Sequence, residues 1–340
     1  MTSTVTQDRP KLSAKERFVD EAYALSVLPR RSFGAHKWGI GGLVIIAGAP
    51  GYVGAAALCA MAAGRAGAGI MNLAVPRSAI STISTLVPEA AYIPMPEGDA
   101  ESIARRAVES ISEKLEKSKA VVVGPGLGED DYAAELLSAL FGLKSARRSS
   151  LGFGVKSNNG NEATSKQPLI GGGRPTVVDA DALNWLAKQG EWWSNVAPGT
   201  LVLTPHVGEM ARLLDCDASE VIAEPIKVAK EAASRWRQVV VLKYGHSVAT
   251  DGSVALVADD APVSLATGGS GDVFAGTIGA FLAQGLAPID AAGLALFVGP
   301  RAARVVERRT GTLGLVASDL PLAIAGVLGE LEHQQGEGNA

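Results

Sequence analysis

Residues 266–276 read Ala-Thr-Gly-Gly-Ser-Gly-Asp-Val-Phe-Ala-Gly, and an apolar run continues from there to Gly285. The glycines allow several backbone N–H groups to converge on one point, where a Cβ would block an approaching ligand. The positive end of the helix predicted to follow favours an anion at the same place. Asp272 adds a carboxylate, which fits a general base beside a phosphoryl group and also fits a helix cap after a tight turn.

Short apolar runs recur along the chain, and glycine-rich or polar loops follow them. The runs are 43–47, 70–75, 120–123, 175–178, 200–203 and 239–242. Continuous apolar runs of this length are typical of strands that are buried on both faces. Helical patterns alternate with them, which predicts an α/β fold with a mainly parallel central sheet and helices on both faces. The loops that follow such strands meet at one edge of the sheet, where ligands bind.

The same patterns predict how the chain is divided. One catalytic domain is expected over 31–335, because no linker separates the strand–loop–helix units. Residues 1–30 are predicted to form a polar extension and a short helix over 13–25, with Ser13 as the N-cap and Glu16 completing a capping box. Residues 144–174 are rich in Ser, Gly, Asn and Lys, so they are predicted to be a mobile surface insertion.

Composition and charge argue against several classes of protein. With 31 basic and 35 acidic residues the net charge is −4, which is unlike a nonspecific nucleic-acid binder. Cys59 and Cys216 are too few for a disulfide framework. Met1–Lys15 lacks the apolar centre of a secretory signal, and no uncharged apolar run approaches the roughly 20 residues that cross a bilayer. We therefore expect a cytoplasmic protein that binds neither a membrane nor nucleic acid.

Five motifs follow one another along the chain and carry a family resemblance. They are Gly51-Tyr52-x-Gly54-Ala55, Gly124-Pro125-Gly126-Leu127-Gly128, Asp179-Ala180-Asp181-Ala182-Leu183-Asn184, Thr204-Pro205-His206-x-Gly208-Glu209 and the stretch 266–276. Together they resemble the bacterial NAD(P)H-hydrate dehydratases, which have a ribokinase-like fold. The resemblance covers the chain from about His36 to about Leu328.

The resemblance implies a repair reaction on damaged nicotinamide cofactors. A member of this family would remove water from the (S)-epimer of hydrated NADH or NADPH, using ADP to phosphorylate the hydroxyl, which then leaves as phosphate. AMP is the other product. Eukaryotic members use ATP and carry a different motif at the position of Thr204-Pro205-His206, so this chain is similar to the ADP-dependent type. A homo-oligomer is also expected.

The resemblance also implies roles for residues of four of these motifs and for the segment 243–247. Asp272 would be the catalytic base, and the N–H groups of the loop, Gly269 and Gly271 among them, would hold the phosphoryl charge. The AMP portion would contact Lys243, Tyr244, Gly245, His246, Ser247 and Gly271. The hydrate would contact Ala55, Gly126, Gly128, His206 and Asp272. Glu209 would organise the water around a Mg²⁺ ion that accompanies ADP.

Several polar residues in the motifs and in the predicted nucleotide site also have purely structural interpretations. His206 follows a proline and fits a cap of the next helix as well as a substrate contact. Asp179 and Asp181 look like paired catalytic carboxylates, but a cap of the helix that begins near Ala182 is the favoured role for Asp181. His246 also fits a local hydrogen-bonding role.

The chain departs from the family pattern at three places. Ala47-Gly48-Ala49 stand where the family has Gly-Gly-Ser, and Lys243-Tyr244 replace Lys-Gly. The segment 260–264 reads Asp-Ala-Pro-Val-Ser in place of the usual Gly-Asn-Pro. Two alternatives to the dehydratase therefore stay open, namely a ribokinase-like kinase for the hydroxymethyl group of a vitamin precursor and a non-catalytic nucleotide-binding relative.

Overall fold

A computed structural model describes residues 9–31, 34, 36–97, 101–143 and 168–337. The strands are β1 Glu16–Val19, β2 Gly42–Ile46, β3 Ile70–Pro76, β4 Ala91–Met95, β5 Ala120–Val123, β6 Thr176–Val178, β7 Leu201–Leu203, β8 Val239–Leu242, β9 Val248–Thr250 and β10 Ala255–Ala258. The α-helices are α1 Glu21–Val27, α2 Lys37–Ile40, α3 Val53–Arg65, α4 Ile80–Leu86, α5 Glu101–Leu115, α6 Asp131–Phe141, α7 Asp181–Leu186, α8 Val207–Leu214, α9 Ala218–Ala223, α10 Pro225–Trp236, α11 Ser270–Ala283, α12 Pro288–Thr310 and α13 Leu320–Glu337. Within the described ranges, none of these helices has the length and apolar character needed to cross a membrane.

All the strands lie in one sheet, in the order β1-β10-β9-β8-β7-β6-β5-β2-β3-β4. The two pairs that involve β9 are antiparallel, and the other neighbouring pairs are parallel. The predicted mainly parallel α/β sheet is therefore confirmed. Successive strands are added on one side of β2 up to β4 and on its other side from β5 onward, so β2 and β5 form a topological switch point, the place where α/β proteins bind ligands.

The apolar runs form strands that contribute to two hydrophobic cores. In β2, Leu43 and Ile45 belong to the core that includes α3, α11, α12 and α13. The alternate residues Val44 and Ile46 belong to the core that includes α5, α6, α7 and α10. Because both faces of the strand are covered, every position is apolar and the run shows no alternation.

Helix α11 packs very closely against α3, and this contact positions the glycine-rich loop. Gly276 lies against the backbone of Cys59, and a Cβ added to Gly276 would clash with the Cys59 carbonyl oxygen and lie 2.8 Å from its carbon. Gly276 is one helical turn after Asp272, on the same helix. The absence of a side chain at Gly276 therefore determines how deeply the first turn of α11 enters the site.

The helix predicted over 13–25 is wrong, because its first half is a strand. The local capping contact does form, with the Ser13 N–H donating to a Glu16 carboxylate oxygen at 2.9 Å. The chain then continues as β1, parallel to β10, and Val19 becomes fully buried. Asp20 caps the short helix α1 by accepting from the Tyr23 N–H at 2.8 Å. Pairing with a distant strand outweighs the local helical signal here.

The predicted insertion is shorter than 144–174, because its last residues belong to the domain. Residues 144–167 lie outside the described part of the chain. Ile170 is fully buried, and its N–H donates to the Leu140 carbonyl at 3.0 Å. Arg174 donates from Nε to the Ser118 carbonyl at 3.2 Å. The predicted boundary is too late because only Leu169 and Ile170, followed by three glycines, mark the return of the chain to the core.

A pair of deletions tests this boundary. Replacement of 144–167 by a short Gly-Ser linker is expected to leave the melting temperature nearly unchanged, since loop length adds little closure cost. Extension of the replacement to 174 also removes Ile170 and is expected to cost about 2–5 kcal/mol, as for truncation of a buried isoleucine. Thermal melting of both variants checks this. Equal melting of the two would show that Ile170 does not anchor the segment.

Candidate active site

The loop before α11 presents backbone donors that have no partner among the residues the structure describes. Gly269 precedes α11 with φ +89°, a left-handed conformation that suits glycine. The Ser270 hydroxyl lies 2.7 Å from the Leu265 carbonyl oxygen, which ties the loop together. The N–H groups of Gly268, Gly269, Gly271 and Asp272 donate no hydrogen bond to any described atom. This end of α11 therefore has the free backbone donors that anion binding requires, and the loop 268–272 is called the anion-binding loop below.

Asp272 stands in the first turn of α11 and does not cap it. The residue is half-buried, and its carboxylate makes no hydrogen bond or ion pair within the described part of the chain. Burial raises its pKa to about 7; the negative charges of Asp179 and Asp181 add to the rise, and Lys243 opposes it. A carboxylate with this pKa can accept a proton near neutral pH.

An ion pair between a buried carboxylate and a partly exposed lysine borders the anion-binding loop. Lys243 Nζ donates to Asp179 Oδ1 at 2.8 Å, and Thr204 Oγ1 donates to the same oxygen at 2.7 Å. A Cβ on Gly271 would lie 3.4 Å from Lys243 Nζ, so the ammonium is next to the loop. Burial alone would lower the pKa of Lys243, but Asp179 and Glu209 hold that pKa above its ordinary value. Lys243 is therefore a permanent positive charge at this site.

Asp179 and Asp181 point to different partners because the residue between them has an unusual backbone conformation. Ala180 has φ +50°, which is strained for a residue with a side chain. Asp181 Oδ2 accepts from the Gly128 N–H at 2.8 Å. The predicted helix cap by Asp181 is wrong: Asp181 is the first residue of α7, and no side chain caps that helix.

Two of the predicted hydrate contacts, Ala55 and Gly126, meet where the sheet changes direction. The Gly48 N–H after β2 donates to the Pro125 carbonyl after β5 at 2.8 Å. Gly126 has φ +60°, and a Cβ there would lie 2.8 Å from the Cβ atoms of both Ala55 and Tyr52. Gly126 and Ala55 are therefore neighbours, and a side chain on Gly126 would fill the space between these two loops.

His206 and Glu209 form a capping box at the start of α8. His206 Nδ1 accepts from the Gly208 N–H at 3.0 Å, so Nε2 carries the proton of the neutral ring. Burial lowers the pKa of His206, and Lys243 and Arg212 lower it further. The imidazole is therefore neutral near pH 7. The structure gives His206 the capping role, and its Nε2 lies 3.6 Å from Glu209 Oε1.

Glu209 is a buried carboxylate beside the same lysine. Its Oε2 accepts from the His206 N–H at 2.8 Å, and 5% of the residue is exposed. Burial raises its pKa to about 7, with Lys243 opposing the rise and Asp179 adding to it. The described residues include no group of three or more His, Cys, Asp or Glu side chains that could hold a metal. This donor set fits Mg²⁺ only if phosphate and water supply most of its ligands.

A cavity of about 470 Å³ adjoins the loop on the side of α12 and α13. Such a volume is typical of small-molecule sites, which span roughly 300–1,000 Å³. The predicted nucleotide residues that line it are Lys243, Tyr244, Gly245, Ser247 and Gly271. Apolar walls come from residues that sequence reasoning missed, among them Phe274, Leu296, Pro300, Leu320 and Ile324. Phe274 belongs to the motif 266–276, but no motif marks Leu296, Pro300, Leu320 or Ile324, which lie on the later helices α12 and α13.

His246, also predicted to bind the nucleotide, lies outside the lining of this cavity. Its Nδ1 is 2.7 Å from the Ala258 carbonyl oxygen, so that nitrogen carries the proton and donates. Its ring meets Phe18 edge-on, with centroids 6.4 Å apart. These contacts give His246 the local hydrogen-bonding role that the sequence left open.

The divergent segment 260–264 forms one wall of the cavity and is held in place by an arginine. Arg304 donates two hydrogen bonds of 2.7 Å to Asp260, from Nε and from a terminal nitrogen. A third bond, of 2.8 Å, reaches Glu307, which also accepts from the Ser264 hydroxyl at 2.6 Å. The aspartate that departs from the family pattern thus has a definite structural role.

Comparisons with known proteins agree with the fold and with the motifs. A family model described as NAD(P)H-hydrate dehydratase matches residues 43–325. The bifunctional NAD(P)H-hydrate repair enzyme of Moorella thermoacetica is 33% identical over 94% of this chain and 55% of its own length. The chain thus spans about half the length of the curated relatives it matches.

Two solved structures confirm the ribokinase-like fold. A ribokinase-like superfamily protein from Enterococcus faecalis has a TM-score of 0.74 and 18% identity, over 95% of this chain and 99% of that one. The ADP/ATP-dependent NAD(P)H-hydrate dehydratase of Bacillus subtilis, co-crystallised with ATP and Mg²⁺, has a TM-score of 0.70 and 21% identity, over 95% of this chain and 100% of that one. At these identities the two structures show the fold alone.

Proposed function

The chain belongs to the NAD(P)H-hydrate dehydratase family, and we propose that it removes water from the (S)-epimer of hydrated NADH or NADPH with ADP as the phosphoryl donor. The products are NADH or NADPH, AMP and phosphate. One observation carries the proposal. Within five consecutive residues, 268–272, four N–H groups and the Asp272 carboxylate have no hydrogen-bond partner in the described part of the chain.

The proposed chemistry turns a poor leaving group into a good one. Asp272 accepts the proton of the hydrate hydroxyl while the hydroxyl oxygen bonds to the terminal phosphorus of ADP. The bond between that phosphorus and the bridging oxygen breaks, and AMP leaves. Phosphate then departs from the ring, a proton leaves the neighbouring ring carbon, and the double bond of the reduced nicotinamide is restored.

Two features of the site support phosphoryl transfer. Phosphoryl transfer depends on fixed positive potential around the transferred group, and the unpaired N–H groups of Gly269 and Gly271 supply it beside the Lys243 ammonium. A base works best when its pKa is near the working pH, and burial raises the pKa of Asp272 to about 7.

The two substrates are assigned to opposite sides of Asp272. The nucleotide occupies the 470 Å³ cavity lined by the loop after β8, the segment 260–265 and helices α11, α12 and α13, with its phosphates toward Gly271. The hydrate lies against Ala55 and Gly126, within reach of His206 Nε2–H and Gly128. The dehydratase of Bacillus subtilis was co-crystallised with ATP and Mg²⁺. In this chain, the Glu209 carboxylate would meet such a Mg²⁺ ion through water.

Product analysis tests the proposed function. Purified protein is incubated with NADH hydrate and ADP, and the absorbance of the reduced ring is followed together with AMP and free phosphate. We expect the three products in equal amounts. A stable phosphate ester of the hydrate without reduced cofactor would show a kinase instead. Tight ADP binding without any turnover would show a non-catalytic relative.

We expect ADP to support faster dehydration than ATP, because the motif Thr204–Glu209 is of the bacterial type. Initial rates are measured side by side at equal nucleotide concentrations, with ADP freed of ATP and ATP freed of ADP beforehand. A clear preference for ATP would contradict the proposed donor and leave the proposed dehydration itself intact.

A further inference from the structure

We propose that Asp179 is a positioning residue that holds the Lys243 ammonium against the anion-binding loop and sets the charge around Asp272. This inference rests on the proposed function, because it concerns how the same site transfers a phosphoryl group. No motif role was assigned to Asp179 from the sequence.

The Asp179 carboxylate is held from several sides. The residue is 1% exposed, and its Oδ1 accepts from both Lys243 Nζ at 2.8 Å and Thr204 Oγ1 at 2.7 Å. The backbone is equally constrained: the Asp179 N–H donates to the Val123 carbonyl at 3.1 Å, and a Cβ on Gly124 would lie 2.9 Å from the Asp179 carbonyl carbon. The carboxylate therefore has one position.

The position of the Asp179 carboxylate fixes the position of the Lys243 ammonium. A lysine side chain has a flexible four-carbon stem, so an unpaired ammonium would occupy many positions. The ion pair keeps Lys243 Nζ 3.4 Å from the point where a Gly271 Cβ would stand, and Asp179 Oδ2 is 3.9 Å from the same point. The positive charge is therefore fixed beside the N–H groups before any phosphate arrives, which avoids reorganisation during the reaction.

The surroundings point to a role in the reaction rather than in stability. A buried ion pair gains little stability over apolar side chains, because both charges lose their hydration. Here the carboxylate has partners on Thr204 and Lys243, and the latter lines the nucleotide cavity. The strained residue Ala180 follows directly, with φ +50°. Strain of this kind is typical of functional sites.

The second effect of Asp179 is on the base. Four groups surround Asp272: the carboxylates of Asp179 and Asp181, the Lys243 ammonium, and the buried Cys59 thiol on α3. Asp179 is the negative neighbour that acts most strongly on Asp272, and it raises the pKa of that carboxyl. A higher pKa makes Asp272 a stronger base. Asp179 therefore acts on the phosphoryl site by positioning Lys243 and on the base by its own negative charge.

Asp179→Asn tests the proposal through the pH dependence of kcat/KM. The variant keeps the shape of the side chain but loses its charge, so we expect kcat to fall by about 10- to 100-fold, as for a misplaced catalytic group. We call the fall of kcat/KM on the acidic side of the pH profile the acidic limb. We expect it to move to lower pH, because the pKa of Asp272 falls when a negative neighbour is lost. Comparison under the same conditions cancels the ionisation of the substrates.

The matched control is Thr204→Val, which removes a hydrogen bond to the same oxygen and leaves every charge in place. Its acidic limb should stay at the wild-type pH even if its stability falls. An Asp179→Asn variant that folds, turns over within a few-fold of wild type and keeps the wild-type acidic limb would overturn the proposal. Wild-type protein without any dehydration would instead overturn the proposed function.

If Asp179→Asn does not fold, a double variant decides the question. Removing both members of a buried ion pair leaves no uncompensated charge, so the double variant Asp179→Asn with Lys243→Met is expected to fold. Its acidic limb is compared with that of the wild type, because Asp179 acts more strongly on Asp272 than Lys243 does. If kcat/KM of the double variant falls at a lower pH, the proposal is supported. If kcat/KM falls at the same pH in both proteins, the proposal is overturned.

Discussion

Asp272→Asn is expected to slow dehydration by about 10²- to 10⁴-fold, the usual cost of removing a general base. Asparagine keeps the size of the side chain but cannot accept the hydroxyl proton. The affinity for ADP should hold or rise slightly, because a negative charge beside the phosphates is lost. Steady-state kinetics and calorimetric titration of ADP measure the two effects separately.

The pH dependence gives this prediction a second test. Asp272 must be ionised to act as a base, and its pKa is about 7. The wild-type kcat/KM should therefore rise as the pH increases through about 7, and Asp272→Asn should lose this rise or show a smaller one. Glu209 also has a pKa of about 7, so a residual rise in the variant would be assigned to Glu209.

Asp20→Asn is the matched control, because Asp20 is a true helix cap outside the site. It accepts from the Tyr23 N–H at 2.8 Å, and asparagine caps a helix about as well as aspartate. Its turnover should equal that of the wild type. If Asp272→Asn behaves like Asp20→Asn, with stability unchanged, Asp272 is not the base and the mechanism built on it is wrong.

Gly276→Ala is expected to cost at least about 1–3 kcal/mol of stability, because it overpacks the contact between α3 and α11. The added Cβ would clash with the Cys59 carbonyl, and backbone cannot rotate away as a side chain can. The displacement should also move Asp272, one turn earlier on α11, and a shift of about 1 Å can cost roughly 100-fold in rate. Thermal melting and kcat are both needed.

Gly326→Ala serves as the comparison for this substitution. Gly326 lies in α13, is exposed, and has no other atom within 4 Å of an added Cβ. Alanine there should be neutral or stabilising by up to about 1 kcal/mol, because it favours the helix. If Gly276→Ala melts at the same temperature as Gly326→Ala, helices α3 and α11 can move apart to accommodate a Cβ despite their close contact.

The fold class could be predicted from local patterns, because a strand that is buried on both faces is apolar at consecutive positions of the sequence. Runs such as 43–47 and 120–123 are apolar at every position, and the structure places them as the adjacent strands β2 and β5. The boundaries of β1 could not be predicted in this way. Residues 13–19 carry a capping contact that favours a helix, and only the distant partner β10 makes the strand.

The candidate site was predictable where a residue type has to meet a local backbone requirement. Gly269 and Gly126 have positive φ angles, and both stand in glycine motifs that the sequence singles out. The role of Asp179 was not predictable, because its partners Thr204 and Lys243 are 25 and 64 residues away in the chain. A contact at that distance has no periodicity that could reveal it.

The sequence by itself determined the α/β class, the loops after the strands and the presence of Asp272 at the start of a helix, because these depend on neighbouring residues. The strand order, the switch point between β2 and β5 and the walls of the cavity beside Gly271 were decided only by the tertiary structure. The physical reason is the same throughout. Local backbone preferences are encoded residue by residue, whereas the meeting of distant carboxylates, ammonium groups and helix faces depends on how the whole chain packs.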